Sequence, residues 1–156
     1  MERIEYRNIV CSDGWPAGEW DNEPDKVQWQ DEATGLPCLI VRNGAGAWCG
    51  YVGVTEGHPA FGKDYDDENI NVDVHGGLTF AAPCQENDKE HGICHIPSPG
   101  EPDHVWWLGF DCLHAGDYGP ATRPIHGLNR PEVYRNMGYV TEQCVILAAQ
   151  LKEMTK

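Results

Sequence analysis

The feature that most limits the fold of this chain lies near its C-terminal end, where apolar residues recur at helical spacing. These residues follow one another at intervals of three and four, and they are Val133, Met137, Val140, Cys144, Leu147 and Leu151. Such a stripe is typical of a helix that packs one face against a core. We therefore predict a helix over residues 131–154, with Asn129 as its cap and Pro131 in its first turn.

The rest of the chain has the pattern of short strands separated by turns and loops. The predicted strands cover residues 3–10, 27–31, 36–42, 47–54, 70–81 and 104–110. Those at 36–42 and 47–54 are expected to form a hairpin around the glycine-rich turn at 43–46. Strands followed by one long helix predict an α+β fold, in which an antiparallel sheet packs against the C-terminal helix. Three long loops, at 55–69, 82–103 and 117–129, are uncommon in a compact domain unless they are functional. The length predicts a single domain over residues 1–156.

The acidic composition excludes several classes of partner. With 25 Asp and Glu against 11 Lys and Arg, the formal net charge is −14. This charge argues against direct binding of nucleic acid, which needs a basic surface, and against adhesion to anionic membranes. No run approaches the ~18–20 apolar residues that a membrane span needs, and no secretory signal pattern opens the chain. We expect a cytoplasmic protein whose cysteines are mostly free thiols.

A polar group directly follows the strand predicted at 104–110. Asp111, His114 and Asp117 are spaced three residues apart, so a helical turn after Asp111 would place them on one face. Carboxylates and an imidazole at the end of a strand can hold a divalent metal or position a general base. A turn in which Asp111 caps the backbone is the structural alternative.

A second segment of the same character lies upstream. Alternation over residues 70–75 places Asp73 and His75 on one face, and Gly76 and Gly77 follow. If the two strands are neighbours, one divalent metal, Zn²⁺ or Mn²⁺, would be held by His75, Asp111, His114 and Asp117. Asp73 would then orient a ligating imidazole. A structural histidine that is simply hydrogen-bonded is the alternative for His75.

Several residues could bind a small anionic or nucleotide-like ligand at this site. The backbone of Gly76 and Gly77, followed by Thr79, can donate N–H groups to an anion, although a β-bulge explains the glycines equally well. The loop over 57–67 offers Lys63 for a phosphate and Tyr65 for stacking.

Aromatic and basic residues elsewhere offer weaker candidates. Trp107 could stack on a base, although aromatic residues on predicted strands more often lie in the core. Arg123, Arg130 and Arg135 flank the start of the predicted helix, and any of them could complete an anion site.

The loop over 82–103 contains a separate candidate. Cys84, Cys94 and His95 are the residue types that bind a structural zinc, but their spacing matches no standard zinc motif. A Cys84–Cys94 cross-link is the alternative, and both remain open at this point.

Three blocks resemble an uncharacterised family of small proteins of tailed phages and prophages. The blocks are Asp-x-His-Gly-Gly-Leu-Thr at 73–79, Gly-Ile-Cys-His at 92–95 and Trp-Trp-x-Gly-Phe-Asp-Cys-x-His-x-Gly-Asp at 106–117, and the likeness extends over residues 36–151. The resemblance implies that the protein is located in the cytoplasm of an infected or lysogenic bacterial host. It implies counter-defence against nucleotide second messengers, inhibition of a host enzyme, or accessory metabolism, and it carries no catalytic residue over to this chain.

Taken together, these patterns favour a metal-dependent hydrolase of a phosphate ester, with a cyclic nucleotide immune signal as the candidate substrate. His75, Asp111, His114 and Asp117 would be both metal ligands and catalytic residues. Two alternatives stay open. One is a non-catalytic protein that sequesters a nucleotide, and the other is an acidic phage protein that binds a host protein.

Overall fold

The computed structural model describes residues 1–121 and 132–156. Within them, one antiparallel sheet of six strands is followed by one α-helix. The strands are β1 (Ile4–Tyr6), β2 (Lys26–Gln30), β3 (Pro37–Arg42), β4 (Trp48–Val54), β5 (Phe80–Pro83) and β6 (Trp106–Asp111), and the helix is α1 (Met137–Glu153). A short 3₁₀ helix, Glu19–Asn22, precedes β2. The strand order β1-β2-β3-β4-β6-β5 and the single helix confirm the predicted α+β fold.

Strands β3 and β4 form the predicted hairpin, and they lie in the middle of the sheet. Its register runs from the Cys38–Val52 pair to the Arg42–Trp48 pair. In the turn, the side-chain oxygen of Asn43 accepts hydrogen bonds from two backbone N–H groups that follow it. Every residue of β4 is buried, and because neighbouring side chains point to opposite faces, the sheet is covered on both sides.

Helix α1 covers one face of the sheet. The residues of α1 that lie in the core are Val140, Cys144, Leu147, Ala148 and Leu151, so most of the predicted stripe is confirmed. A glycine in β4 permits this close packing. A Cβ atom on Gly50 would lie 2.4 Å from the ring of Phe110 and 2.7 Å from the sulfur of Cys144.

The helix begins later than the sequence predicts. The side chain of Asn136 caps it by accepting a hydrogen bond of 2.9 Å from the Tyr139 amide. The predicted start at 131 is wrong because residues 132–136 are not helical, and Val133 instead exchanges backbone hydrogen bonds with Gly116 and Tyr118. The predicted cap Asn129 and Pro131 lie outside the described residues.

Residues 70–79 do not form the predicted strand, and β5 begins only at Phe80. Two glutamines of α1 take the place of a neighbouring strand here. Gln150 accepts from the amide of Asp73 and donates to its carbonyl, at 2.7 Å each. Gln143 accepts from the amide of His75 at 3.0 Å. The alternation in the sequence reflects a real inward side, since Val74 is buried, but the backbone hydrogen bonds go to helix side chains.

A smaller difference concerns the end of the first strand. The first strand is shorter than the predicted 3–10 and ends at Tyr6, before a positive φ of 60° at Asn8.

In the described part of the chain, no helix has both the length and the apolar character that crossing a bilayer requires.

Candidate functional site

Three parts of the fold meet beyond the end of β6: the loop at Gly76, the turn after Asp111, and the first turn of α1. They bring together a group that we call the histidine cluster, which consists of His75, Asp111, His114, Asp117, Arg135 and Tyr139. The rings of His75 and His114 lie 6.1 Å apart, measured between centroids. The predicted convergence of the two sequence segments is therefore present in the structure.

His75 lies between a carboxylate and a phenol. Its Nε2 atom is 2.8 Å from Asp117 Oδ2, and its Nδ1 atom is 2.7 Å from the hydroxyl of Tyr139. Both ring nitrogens are thus engaged, and the backbone amide is fixed by Gln143. A hydroxyl, an imidazole and a carboxylate in one hydrogen-bonded chain form the geometry by which enzymes activate an oxygen atom.

Asp117 is the buried anchor of the cluster, with 5% of its surface exposed. Its Oδ2 atom accepts from His75 and from the His114 amide, and its Oδ1 atom accepts from Arg135 at 3.0 Å. Burial alone would raise the pKa of Asp117, but these hydrogen bonds outweigh it and hold the pKa below its ordinary value. Asp117 is therefore ionised at neutral pH and favours a proton on His75 Nε2.

His114 is held differently, by packing against backbone. A Cβ atom on Gly76 would lie 2.3 Å from two atoms of the His114 ring, so only glycine allows this approach. The Nε2 atom of His114 lies 3.3 Å from Asp111 Oδ1. The two groups are not aligned for a hydrogen bond, and this buried nitrogen has no hydrogen-bond partner among the described residues. The Nε2 atom of His114 is thus enclosed beside Gly76 and Asp111 without a hydrogen bond to hold it.

Asp111 connects the cluster to a cavity of about 410 Å³. Its two carboxylate oxygens accept from the Leu113 amide at 3.0 Å and from the Thr79 hydroxyl at 3.2 Å. The lining of this cavity includes Asp111, Thr79, Tyr51 and Phe80. Thr79 thus lies beside Asp111, where the sequence analysis expects a ligand.

Arg135 provides positive charge beside the reactive groups. Its Nε atom donates to Asp117, and its guanidinium carbon lies 5.0 Å from the centre of the Tyr139 ring. No partner for its terminal nitrogens is present in residues 1–121 or 132–156, so they can donate to an anion. The other two candidate arginines, Arg123 and Arg130, lie outside the described residues.

The four predicted metal ligands are arranged as two pairs rather than as one ligand set. His75 is joined to Asp117 and His114 faces Asp111. The contacts of His75 and Asp117 occupy the atoms that coordination of a metal would need. Asp73, predicted to orient an imidazole, contacts Gln150 through its backbone.

Three predicted ligand-binding residues lie away from the cluster. The carbonyl of Lys63 accepts from the indole of Trp106 at the start of β6, roughly 16 Å along that strand from Asp111 at ~3.3 Å per residue. Tyr65, 44% exposed, belongs to the same loop. Trp107 is fully buried in the core on the face opposite the helix, so its predicted stacking on a ligand is wrong.

The cysteine loop forms a second group, separate from the histidine cluster. Cys84 and Cys94 are joined in a disulfide, with their Cα atoms 4.7 Å apart. His95 lies beside them and is 3% exposed. The structure thus contains the cross-link that the sequence left open against a zinc site.

Tyr139 and Gln143, which fix the orientation of His75, were not predicted from the sequence. Both lie on α1, one turn apart, on the side that faces the Gly76 loop. The available signal was Arg135, because residues four apart near a helix start can share a face. Arg135 was recognised only as one of three equivalent arginines.

Comparison of the chain with protein-family models, with curated proteins and with solved structures gave no match. The likeness to phage proteins therefore remains a prediction, and the function proposed below depends on the geometry of the histidine cluster.

Proposed function

We propose that this protein hydrolyses a phosphate ester at the histidine cluster, with His75 and His114 as the proton-transferring groups. The observation that carries the proposal is the hydrogen-bonded chain from Tyr139 through His75 to Asp117, at 2.7 and 2.8 Å. In this chain the ionised carboxylate favours the imidazole tautomer whose Nδ1 accepts a proton from the phenol. The phenol oxygen can then accept a proton from water.

The reaction balances with the groups present. Water attacks phosphorus and gives its proton to the Tyr139 oxygen, while the phenol proton passes to Nδ1 of His75. His114, in its protonated form, donates a proton to the oxygen that leaves phosphorus. The P–O bond to the leaving group breaks as the bond to water forms, and the proton held by His75 then returns to His114 through solvent. Paired acid and base groups contribute about 10²–10⁴-fold each to such rates.

Arg135 supports an anionic substrate over a neutral one. Its terminal nitrogens lie next to the Tyr139 ring, where negative charge develops on the phosphoryl oxygens during attack. In a protein with a net charge of −14, a local guanidinium is needed to offset repulsion of a phosphate. The phage resemblance suggests a cyclic nucleotide in the cytoplasm of a bacterial host as the substrate, and this identity is part of the proposal.

The metal-dependent hydrolysis predicted from the sequence would respond to a chelator differently from this mechanism. Proton transfer through His75 and His114 continues in EDTA, whereas hydrolysis by a metal-bound water stops. The contacts of His75 with Asp117 and Tyr139 favour the first mechanism, because ligation would require His75 to give up one of them.

The test is incubation of the protein with nucleoside monophosphates, linear dinucleotides and cyclic mono- and dinucleotides, with and without EDTA, followed by chromatography. A matched pair of variants is His114→Gln and His91→Gln. Each histidine faces an aspartate three residues earlier, at 3.3 Å in the cluster and at 3.1 Å in an exposed loop away from it.

We expect hydrolysis of at least one ester, loss of rate in His114→Gln, and no change in His91→Gln. A nucleotide that binds but is recovered intact would contradict hydrolysis and support sequestration, for which the cavity beside Asp111 offers space.

A further inference from the structure

The loop that covers the other face of the sheet contains three donor atoms suited to a soft metal. One atom each from Cys84, Cys94 and His95 lies within 4.8 Å of the others. In the described part of the chain, no other set of three or more His, Cys, Asp or Glu residues brings its donor atoms that close together. Two sulfurs and an imidazole nitrogen are typical ligands of Zn²⁺, which prefers four neighbours in a tetrahedral arrangement.

A second observation points to a missing ligand at this place. The Nδ1 atom of His95 is buried and has no hydrogen-bond partner among the described residues. Only 3% of the residue is exposed to solvent. A buried polar atom without a partner destabilises the fold. Coordination of a metal would satisfy it. The edge of the ring packs on Trp107, with centroids 5.3 Å apart, and this contact holds the imidazole in place.

The loop is held by buried polar side chains of β2 rather than by the cysteines alone. The amine of Lys26 donates to the carbonyls of Lys89 and Gly92, at 2.6 and 2.8 Å. Gln28 accepts from the amide of Ile96 at 2.8 Å and donates to its carbonyl at 3.1 Å. These bonds flank Cys94 and His95 on both sides, and the amide of Gln85, next to Cys84, donates to the carbonyl of Ile93 at 3.0 Å. The backbone contacts therefore keep the three donors close together when the disulfide is opened.

Solvent reaches the same place through a cavity of about 340 Å³ that His95 lines together with Gly53, Thr55 and Val105. This cavity gives an ion a route to His95 and space for a water molecule as a fourth ligand. A zinc ion with three protein donors keeps one open position for water, and the cavity beside His95 offers room for that water.

We propose that Cys84, Cys94 and His95 form a redox-dependent zinc site, closed as a disulfide and open to Zn²⁺ when reduced. A thiol or phosphine reductant supplies two electrons and is itself oxidised, and the disulfide becomes two thiols with uptake of two protons. Binding of Zn²⁺ then releases both protons and forms two Zn–S bonds and one Zn–N bond. A molecule of hydrogen peroxide then takes two electrons from the two thiolates and, with two protons from solvent, becomes two molecules of water, while the Cys84–Cys94 bond re-forms and the ion is released. The site is independent of the proposed hydrolysis.

The test is anaerobic titration of the whole protein with Zn²⁺ against a chromophoric chelator, after phosphine reduction or after oxidation. We expect one equivalent bound by the reduced protein and none by the oxidised protein. Co²⁺ in place of Zn²⁺ should give thiolate-to-metal absorption only in the reduced sample.

Variants identify the ligands. Cys84→Ser and His95→Gln should each weaken binding by at least about 100-fold, whereas Cys11→Ser, which removes an exposed free thiol, should leave it unchanged. Equal binding by reduced and oxidised wild-type protein, or no binding by either, would overturn the proposal, and this comparison does not depend on whether the variants fold.

Discussion

The Nε2 atom of His75 lies 2.8 Å from the Oδ2 atom of Asp117, and this contact joins two loops that are 42 residues apart in the chain. The same carboxylate also anchors Arg135 and the amide of His114. One buried aspartate thus positions both histidines and the arginine of the cluster, so its removal should affect both stability and chemistry.

Asp117→Asn should destabilise the protein at pH 7 by about 1–3 kcal/mol, the cost of weakened hydrogen bonds to a buried charge. The pKa of Asp117 is held below its ordinary value by these bonds. A lowered carboxyl pKa stabilises the fold above the unfolded pKa, near 3.9, and this contribution is lost as the pH falls through the folded pKa. Denaturant unfolding from pH 7 to pH 3 should therefore show the difference between wild type and variant shrinking below about pH 4. A difference that is constant with pH would contradict the assignment.

Tyr139→Phe should reduce the rate of hydrolysis by about 10²–10⁴-fold, because it removes the hydroxyl that connects water to His75. The loss of stability should be small, about 0.5–1.5 kcal/mol for one hydrogen bond. Tyr6→Phe is the matched control, since the Tyr6 hydroxyl is buried without a hydrogen-bond partner in the described residues. Comparison of kcat and of the unfolding midpoint for both variants tests this prediction. Equal rates in the two variants would exclude Tyr139 from the proton path.

Gly76→Ala should displace His114, whereas Gly77→Ala should not. Both glycines have positive φ angles, of 69° and 78°, so both variants carry a similar backbone strain of about 1–2 kcal/mol. A Cβ atom would meet the His114 ring at 2.3 Å only at Gly76, and it would meet nothing within 4 Å at Gly77. The measurements are unfolding free energy and the NMR signals of His114. A similar shift of those signals in both variants would show that the predicted contact is absent.

Much of the fold follows from patterns that the sequence contains directly. The hairpin of β3 and β4 was predicted from two apolar runs around a glycine-rich turn, and the inward face of α1 from its spacing at Val140, Cys144, Leu147 and Leu151. Both are local signals, because the residues that decide them are neighbours along the chain.

The wrong predictions concern features that depend on contacts between residues far apart in the chain. The alternation around Val74 predicts a strand, which is wrong for residues 70–79, and only the tertiary structure reveals that Gln143 and Gln150 replace a partner strand. The start of α1 is set by Asn136, which caps the helix. The sequence pattern instead favoured Asn129, two residues before Pro131, as the cap. Within the candidate site, the grouping of His75 with Asp117 was predictable from motifs, whereas the role of Tyr139 depends on where the helix docks.

Lys26 predicts an unusual pH dependence in the alkaline range. Burial lowers its pKa to about 8, against the attraction of Asp88 and Glu90. Because the unfolded pKa is near 10.4, the unfolded chain binds more protons between the two values, so the fold gains stability as the pH rises through this window. A Lys26→Met variant lacks this titration. Denaturant unfolding of the oxidised protein between pH 7 and pH 10 should show wild type gaining on the variant, and parallel curves would contradict the burial of a titrating amine.

The most direct test of the central claim is the release of nitrophenol from bis(4-nitrophenyl) phosphate in EDTA, by wild type and by His75→Gln. Proton transfer through His75 predicts turnover by wild type that survives the chelator and falls by about 10²–10⁴-fold in the variant. If both proteins turn over the ester at the same rate, or if wild type loses all activity in EDTA, the histidine cluster does not act by the proton transfer proposed for it.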